Sequence, residues 1–323
     1  MSKYTDTKAK EIMELVLAEM KTAGTNFMDA WVKSGMPRSI HGRVYSGINL
    51  FQLWATKQSK GFESNTWATF NHIRGLKTSD GEQGMVKKGA KATFVCGFFK
   101  STYKTIPTRG ANKGQEVEKD MLHCKFYPVF NLDQTNIKDK DLNVPNLAND
   151  MESVETYIAN TKAEIRISTD NFDSTLNDSC FYSPTLDYIH MVDKKWFVKT
   201  QESNATENYY TVLLHELTHW TMHKDRCNRS FLEETKKEDG TSDPKSAYAM
   251  EELVAEMGSA IQSCLLGITS KPKKESAQYL NIWINRLENN TKLFWSMCSH
   301  ASKAVSFIEK LQKKSVKKLK KAS

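Results

Sequence analysis

The chain has 323 residues, 39% of them hydrophobic and 10% aromatic, with a formal net charge of +8. That much apolar material excludes wholesale disorder, and no apolar run reaches the roughly 18 residues needed to span a bilayer. The charge is uneven: residues 1–145 hold 22 Lys and Arg against 14 Asp and Glu, residues 146–309 are net −7, and Lys310–Ser323 carries seven lysines and no acid.

A basic first part and an acidic second part point to two modules with different partners, 1–145 and 146–312, followed by a Lys-rich tail at 313–323. Residues 6–23 read as an amphipathic helix, because Glu11, Glu14 and Glu19 interrupt the apolar residues as they would not in a signal peptide. A turn-rich stretch then leads into the apolar run of GINLFQLW. Residues 64–76, SNTWATFNHIRGL, read as a helix capped by Ser64 or Asn65 and closed near Gly75. A basic turn at Lys87–Lys91 precedes a strand from Thr93 to Tyr103. Its hairpin partner is HCKFYPVFNL, across an exposed Gly-rich loop at 108–120. Residues 139–149 have the composition of a linker.

The second module begins with a helix at 150–161, the strand AEIRIST and a hairpin at 178–192 turning at Ser183-Pro184. A helix through YYTVLLHELTHWTMH (209–223) follows. A charged, loop-like segment at 231–247 leads to helices at 248–266, 275–288 and 291–312, and the last lysines read as a frayed helix end or a disordered tail. The expected class is α+β: a mixed first domain, then a mainly helical domain with a small sheet. The six cysteines, Cys96, Cys124, Cys180, Cys227, Cys264 and Cys298, are scattered without a Cys-x-x-Cys pair. This argues against a disulfide framework and for a reducing cytoplasm.

In the helix at 209–223, His215 and His219 stand one turn apart with Glu216 beside the first, so both imidazoles can reach one ion. Two nitrogen ligands fix a metal, a carboxylate takes a proton from bound water, and zinc brings the pKa of that water to about 7. Leu213, Leu217 and Trp220 form a core stripe, which accounts for the apolar residues but not for the histidines or Glu216. A catalytic zinc of this kind needs a third protein ligand. The helix AYAMEELVAEMGSAI supplies candidates beside its buried face of Leu253, Val254, Met257 and Ile261. Glu252 is the expected ligand. Glu256, four residues on, is the runner-up and is expected to hold a ligand histidine by hydrogen bond. Glu251 reads as part of a solvated acidic face. His223 is an auxiliary candidate, and His223 and Tyr182 are candidates for a second oxyanion donor.

In residues 1–145, cationic and aromatic side chains interleave. The candidate nucleic-acid contacts are Arg38, Arg43, Tyr45, Trp54, Lys57, Trp67, Lys87, Lys88 and Lys91, with Trp31, Lys60, Phe98, Phe99 and Lys100 in the same pattern. Cations neutralise phosphates and aromatic faces stack on unpaired bases, which suits a single strand. Tryptophans in a core and lysines on a surface would give the same composition.

Taken in order, HGRVYSGINLFQLW, WATFNHIRGL, GMVKKGAKATFVCGFF and YPVFNLDQTNI, then FYSPTLDYIHM, LLHELTHWTMHKDRCNRS, YAMEELVAEMGSAIQSCLLGI and YLNIWINRLENNTKLFWSMCSHASKAVSFI, resemble antirestriction proteins of the ArdC type. The resemblance covers nearly all of residues 5–310. It implies an N-terminal single-stranded-DNA-binding domain and a C-terminal zincin-like metallopeptidase domain. His215 and His219 would bind zinc, Glu216 would be the catalytic carboxylate, and a glutamate of EELVAE would complete the site. It also implies a plasmid or phage setting, with a host restriction or defence protein as target. Two features depart from the family pattern. The aromatic-Pro pair after the first helix is reduced to Trp31 and a distant Pro37, and the loop at 108–118 looks like an insertion. Two other readings stand beside this one: a DNA-masking protein with a structural or vestigial zinc, and an accessory of DNA replication or transfer. The latter draws on a resemblance of the first domain to parts of conjugative primases, although no primase-type acidic cluster is visible.

Overall fold

Helix α1 (Lys3–Ala23) buries Ile12, Met13, Val16, Leu17 and Met20 along one stripe, at the spacing that makes a helix amphipathic. The computed structural model describes residues 3–24, 32–106, 108–109, 113–142, 151–168, 180–199, 203–237, 239–268, 279–288 and 290–322. Trp31, most of the expected linker and the start of the helix expected at 275–288 lie outside these residues. Strand β1 (Arg38–Ser39) is followed by α2 (Ile48–Lys60), whose N-cap and first two turns are the run GINLFQLW. Helix α2 stops at Gly61, whose φ of 64° is the left-handed conformation that closes a helix without a Cβ clash.

The segment expected as one helix over 64–76 divides in two. Thr66–Ala68 forms strand β2, and only Phe70–Arg74 is helical (α3), with Thr69 as its N-cap and Gly75 as its C-cap. The cause is non-local. Strand β2 is wedged between β1, which pairs with it in parallel, and β4, which pairs with it antiparallel at Trp67–Asn131. The hairpin of β3 (Thr93–Thr105) and β4 (Val117–Asn131) is longer than its sequence pattern predicts, and all thirteen residues of β3 are in register with β4. The sheet order is β1-β2-β4-β3. Asn49 of α2 covers the open edge of β3 by donating to the carbonyl of Cys96 and accepting from its amide, both at 2.7 Å.

The second half contains α4 (Met151–Ala159), β5 (Glu164–Ser168), β6 (Phe181–Ser183), β7 (Tyr188–Val192), α5 (Ala205–Trp220), α6 (Pro244–Leu266), α7 (Leu280–Leu287) and α8 (Thr291–Ala322). Its sheet runs β5-β7-β6, with β5 parallel and β6 antiparallel to β7. Helix α8 continues to Ala322, through the segment that sequence reads as frayed or disordered. No described helix is long and apolar enough to cross a membrane.

The largest core cluster joins the two halves. It gathers Met13 and Leu17 of α1, Phe51 and Trp54 of α2, Leu253 and Met257 of α6, Leu287 of α7, and Phe294 and Met297 of α8. A second cluster surrounds α5, with Tyr157, Ile189, Leu213, Leu217 and Ile308.

Helices α5 and α6 approach closely at one point. A Cβ on Gly258 would lie 2.5 Å from Thr218 Cγ2 and 2.8 Å from its Oγ1. Thr218 is pinned, since its hydroxyl donates to the carbonyl of Leu214 at 2.8 Å and accepts from Gln262 Nε2 at 2.9 Å. Ser259 adds a third tie, donating to the carbonyl of Thr211 at 3.1 Å. Gly258→Val is therefore expected to force the helices apart and lower the unfolding free energy by about 1–3 kcal/mol, read from the urea midpoint. An unchanged midpoint would show that the contact yields easily.

Candidate metal centre

Helix α5 starts with a capping box. Asn204 accepts from the amide of Glu207 at 2.9 Å, and Glu207 accepts from the amide of Asn204 at 3.0 Å. From Tyr209 to Trp220 nearly every side chain is buried, so the helix runs through the core rather than across its surface. His215, Glu216 and His219 are carried inside with it. Helix α6 starts at Pro244, with Asp243 as N-cap accepting from the amide of Ser246. Its three acids, Glu251, Glu252 and Glu256, are also buried. Buried carboxylates persist only with partners, and here the partners lie on α5.

One donor atom each from His215, His219 and Glu252 lie within 4.8 Å of one another. The two Nε2 atoms are 3.1 Å apart, and the Glu252 carboxylate lies 3.3 Å from His215 Nε2 and 3.5 Å from His219 Nε2. The outer nitrogens face further acids. His219 Nδ1 is 3.1 Å from Glu251 Oε1, and His215 Nδ1, buried without a hydrogen-bond partner, faces Glu256 Oε1 at 3.5 Å. A carboxylate bonded at Nδ1, as Glu251 is to His219, fixes the proton there and turns the lone pair of Nε2 toward the common point.

Glu251 does not lie on the solvated face that sequence suggests. It is 5% exposed and clasped by Arg229, which donates from Nε to Oε2 at 2.7 Å and from Nη2 to Oε1 at 2.6 Å. Arg229, itself 3% exposed, also donates to Thr221 Oγ1 and to the carbonyl of Thr218, each at 3.1 Å. Burial works against charge on His219, yet Glu251, Glu252 and the nearby Glu216 outweigh it and raise the imidazole to about 10. Burial likewise opposes ionisation of Glu252, but both histidines hold its carboxyl well below the usual range. A site that draws positive charge so strongly, with two imidazoles and a carboxylate converging, fits a divalent cation.

Glu216 lines a cavity of about 350 Å3 together with His219 and Glu252. Tyr182 lines it too, but its hydroxyl donates to Asp187 at 2.8 Å and accepts from Arg226 at 3.1 Å. His223 is not among the residues that line the cavity. The helix expected to carry it ends at Trp220, and its Nδ1 accepts from the amide of Asp225 at 3.3 Å. Tyr248 enters the site unannounced by the sequence pattern. Its ring is exposed at the cavity mouth, while desolvation of its hydroxyl end, then the carboxylate of Glu252, push the phenol well above the ordinary value.

The candidate nucleic-acid residues scatter. Trp54 and Trp67 are fully buried, and Trp54 donates to the carbonyl of Gly35. Lys57 is 6% exposed and donates to the carbonyl of Ser34 at 2.8 Å and to Asn65 Oδ1 at 2.6 Å. These three are core and tether residues and are out of reach of a bound strand, a correction to their reading as contacts. Arg38 and Tyr45 are half-buried, with Arg38 3.8 Å from Asp139. Arg43, Lys87, Lys88 and Lys91 are exposed. Besides Phe70 of α3, the exposed aromatic residues of the first half stand on the hairpin. Phe99, Tyr103 and Tyr127 share one face by register with Lys125, whose Nζ is 5.5 Å from the Tyr127 ring. Gly97 makes room for that ring, which a Cβ would meet at 2.8 Å. Period-two spacing could have found Tyr103 and Tyr127; Arg229, coming from a loop, left no signal.

Comparison with known proteins divides the chain similarly. Residues 152–300 match the zincin-like metallopeptidase family, and residues 6–130 match the N-terminal domain of anti-restriction factor ArdC. The crystal structure of the antirestriction ArdC protein from plasmid R388, in its metal-free form, is similar with a TM-score of 0.70. It is 29% identical, over 94% of this chain and 97% of that one. Its Mn(II)-bound form gives a TM-score of 0.66 at 28% identity over the same shares. A DNA primase TraC of Escherichia coli is 26% identical over 95% of this chain, which spans only 27% of that protein's length. An uncharacterized protein of Sinorhizobium fredii is 23% identical over 94% of this chain and 92% of its own.

The Arg229–Glu251 pair yields a stability prediction. Arg229→Met leaves a carboxylate buried without its cation and is expected to cost about 3–5 kcal/mol, with the double variant Arg229→Met/Glu251→Met recovering a large share. Chemical denaturation of both checks this. A cost for the single variant below about 1 kcal/mol would mean that water reaches Glu251.

Proposed function

The chain is an ArdC-type protein, with the N-terminal domain of that anti-restriction factor followed by a zincin-like metallopeptidase domain, and we propose that it binds single-stranded DNA and counters host restriction through a metal-dependent peptidase centre. The observation that carries this reading is the convergence of His215, His219 and Glu252 in a cavity wall that Glu216 also forms. His215, His219 and Glu252 would hold one divalent cation, and two imidazoles with one carboxylate suit zinc. When bound, the cation supplies Lewis-acid chemistry, acidifying water and polarising a peptide carbonyl. Glu216 would accept a proton from water at its carboxylate and return it to the departing amine. Glu251, held by Arg229, keeps His219 in the tautomer whose Nε2 faces the site. The target is a host restriction or defence protein, met in the cytoplasm of a bacterium.

The basic half supplies the DNA surface in this reading. Phe99, Tyr103 and Tyr127 offer ring faces to unpaired bases, while Lys125, Arg43, Lys87, Lys88 and Lys91 meet phosphates. Likeness to TraC favours a second reading, a role beside plasmid DNA as it is transferred.

Glu216→Gln should keep metal content and affinity for an oligothymidylate, yet protect unmodified DNA in a restriction-proficient host at least about tenfold less well. Full protection by this variant would remove hydrolysis from the mechanism. Phe99→Ala/Tyr103→Ala is expected to weaken oligothymidylate binding by about tenfold or more. Lys87→Ala/Lys88→Ala should instead flatten the salt dependence. Fluorescence anisotropy across a salt series separates these effects, and wild-type affinity in the aromatic variant would eliminate the hairpin face.

A further inference from the structure

We infer that the cavity beside His215, His219 and Glu252 is a subsite for one large apolar side chain, so that the peptide it accepts carries a leucine, methionine, phenylalanine or similar residue next to the bond cut; this rests on the metallopeptidase reading above. The cavity, about 350 Å3, has two unlike walls. One is the charged set of Glu216, His219, Glu251 and Glu252. The rest is largely apolar: Met222, Phe231 and Ala247 within, and Phe181, Leu232 and Tyr248 at the rim.

Burial divides these residues further. Phe231 and Ala247 are buried, whereas Phe181, Leu232 and Tyr248 are among the exposed large hydrophobic residues of the chain. Three such residues around one opening leave apolar surface that an entering side chain would cover. The volume is at the low end of ligand sites, roughly 300–1,000 Å3, which is ample for one side chain. Ala247 lies one helical turn before Glu251 on α6, so its small size opens the space directly beside the acids. The flexible Met222 can conform to different apolar shapes.

The acids nearby do not favour a basic side chain instead. Glu252 already faces both Nε2 atoms, and Glu251 is held by two hydrogen bonds from Arg229 and by His219. A lysine or arginine entering here would lose its water against Phe231 and Met222 and find those two carboxylates engaged, with the third, Glu216, already facing the charge of the His219 imidazole.

The test uses the zinc-loaded full chain and the hydroxamates of glycine, leucine, phenylalanine, lysine and glutamate, which share one metal-binding group and differ only in side chain. Affinities are measured by titration calorimetry. The leucine and phenylalanine compounds should bind about tenfold or more tightly than the glycine compound, with lysine and glutamate gaining nothing over glycine. Ala247→Phe, verified for fold and zinc content, should collapse the leucine-to-glycine ratio toward one. Equal binding of glycine, leucine and phenylalanine, or a preference for lysine or glutamate, would overturn the subsite and leave the metal reading intact. A ratio that persists in folded, zinc-replete Ala247→Phe would also overturn it. No binding by any hydroxamate, glycine included, would overturn the metallopeptidase reading of the centre and the subsite with it.

Discussion

The distance between α5 and α6 governs everything at the candidate centre, and it is set where the side chain of Thr218 meets the bare backbone of Gly258. Both imidazoles come from α5 and the three carboxylates in contact with them, Glu251, Glu252 and Glu256, from α6, so neither helix alone could assemble the site. A shift of about an ångström between the helices is enough to spoil such a geometry. Hydrogen bonds through Ser259 and Gln262 hold the same seam. The backbone of one helix thus serves as the stop against which the other is positioned.

That seam also makes the buried charges tolerable. Glu251, Glu252 and Glu256 sit where an isolated carboxylate would be protonated or expelled. Arg229 neutralises one of them with a planar fork whose geometry matches a carboxylate. The histidines face the others, and the excess of acid over base around them is what a cation would balance. The order of contacts, from Arg229 to Glu251 to His219, connects the loop after α5 to the innermost donor atoms.

Much of the centre was legible because its signals are local. His215, Glu216 and His219 lie within two turns of one helix, and the pairing of Glu252 with Glu256 follows from the same periodicity. Glu251 was misread for an instructive reason. Its position, one residue from Glu252, points about 100° away, which means solvent only if nothing packs there; Arg229 does. The helix expected over 64–76 failed because β2 is three residues long and exists only through pairing with β1 and with β4, whose partner residue Asn131 is more than sixty positions away. Trp54 and Trp67 show the limit of composition. A ring that stacks on a base and a ring that fills a core are the same residue until burial is known, and the hairpin face carrying Phe99, Tyr103 and Tyr127 emerged only from strand register.

The core that joins α1 and α2 to α6, α7 and α8 bears on how such a chain is inherited. A boundary near residue 145 divides charge, but it does not divide the apolar interior. Separating the halves by recombination would uncover Met13, Leu17 and Phe51 on one side and Leu253, Met257 and Phe294 on the other. The unit that can travel between genes is therefore the pair, transplanted whole, in keeping with a TraC protein that matches nearly all of this chain within a much longer one.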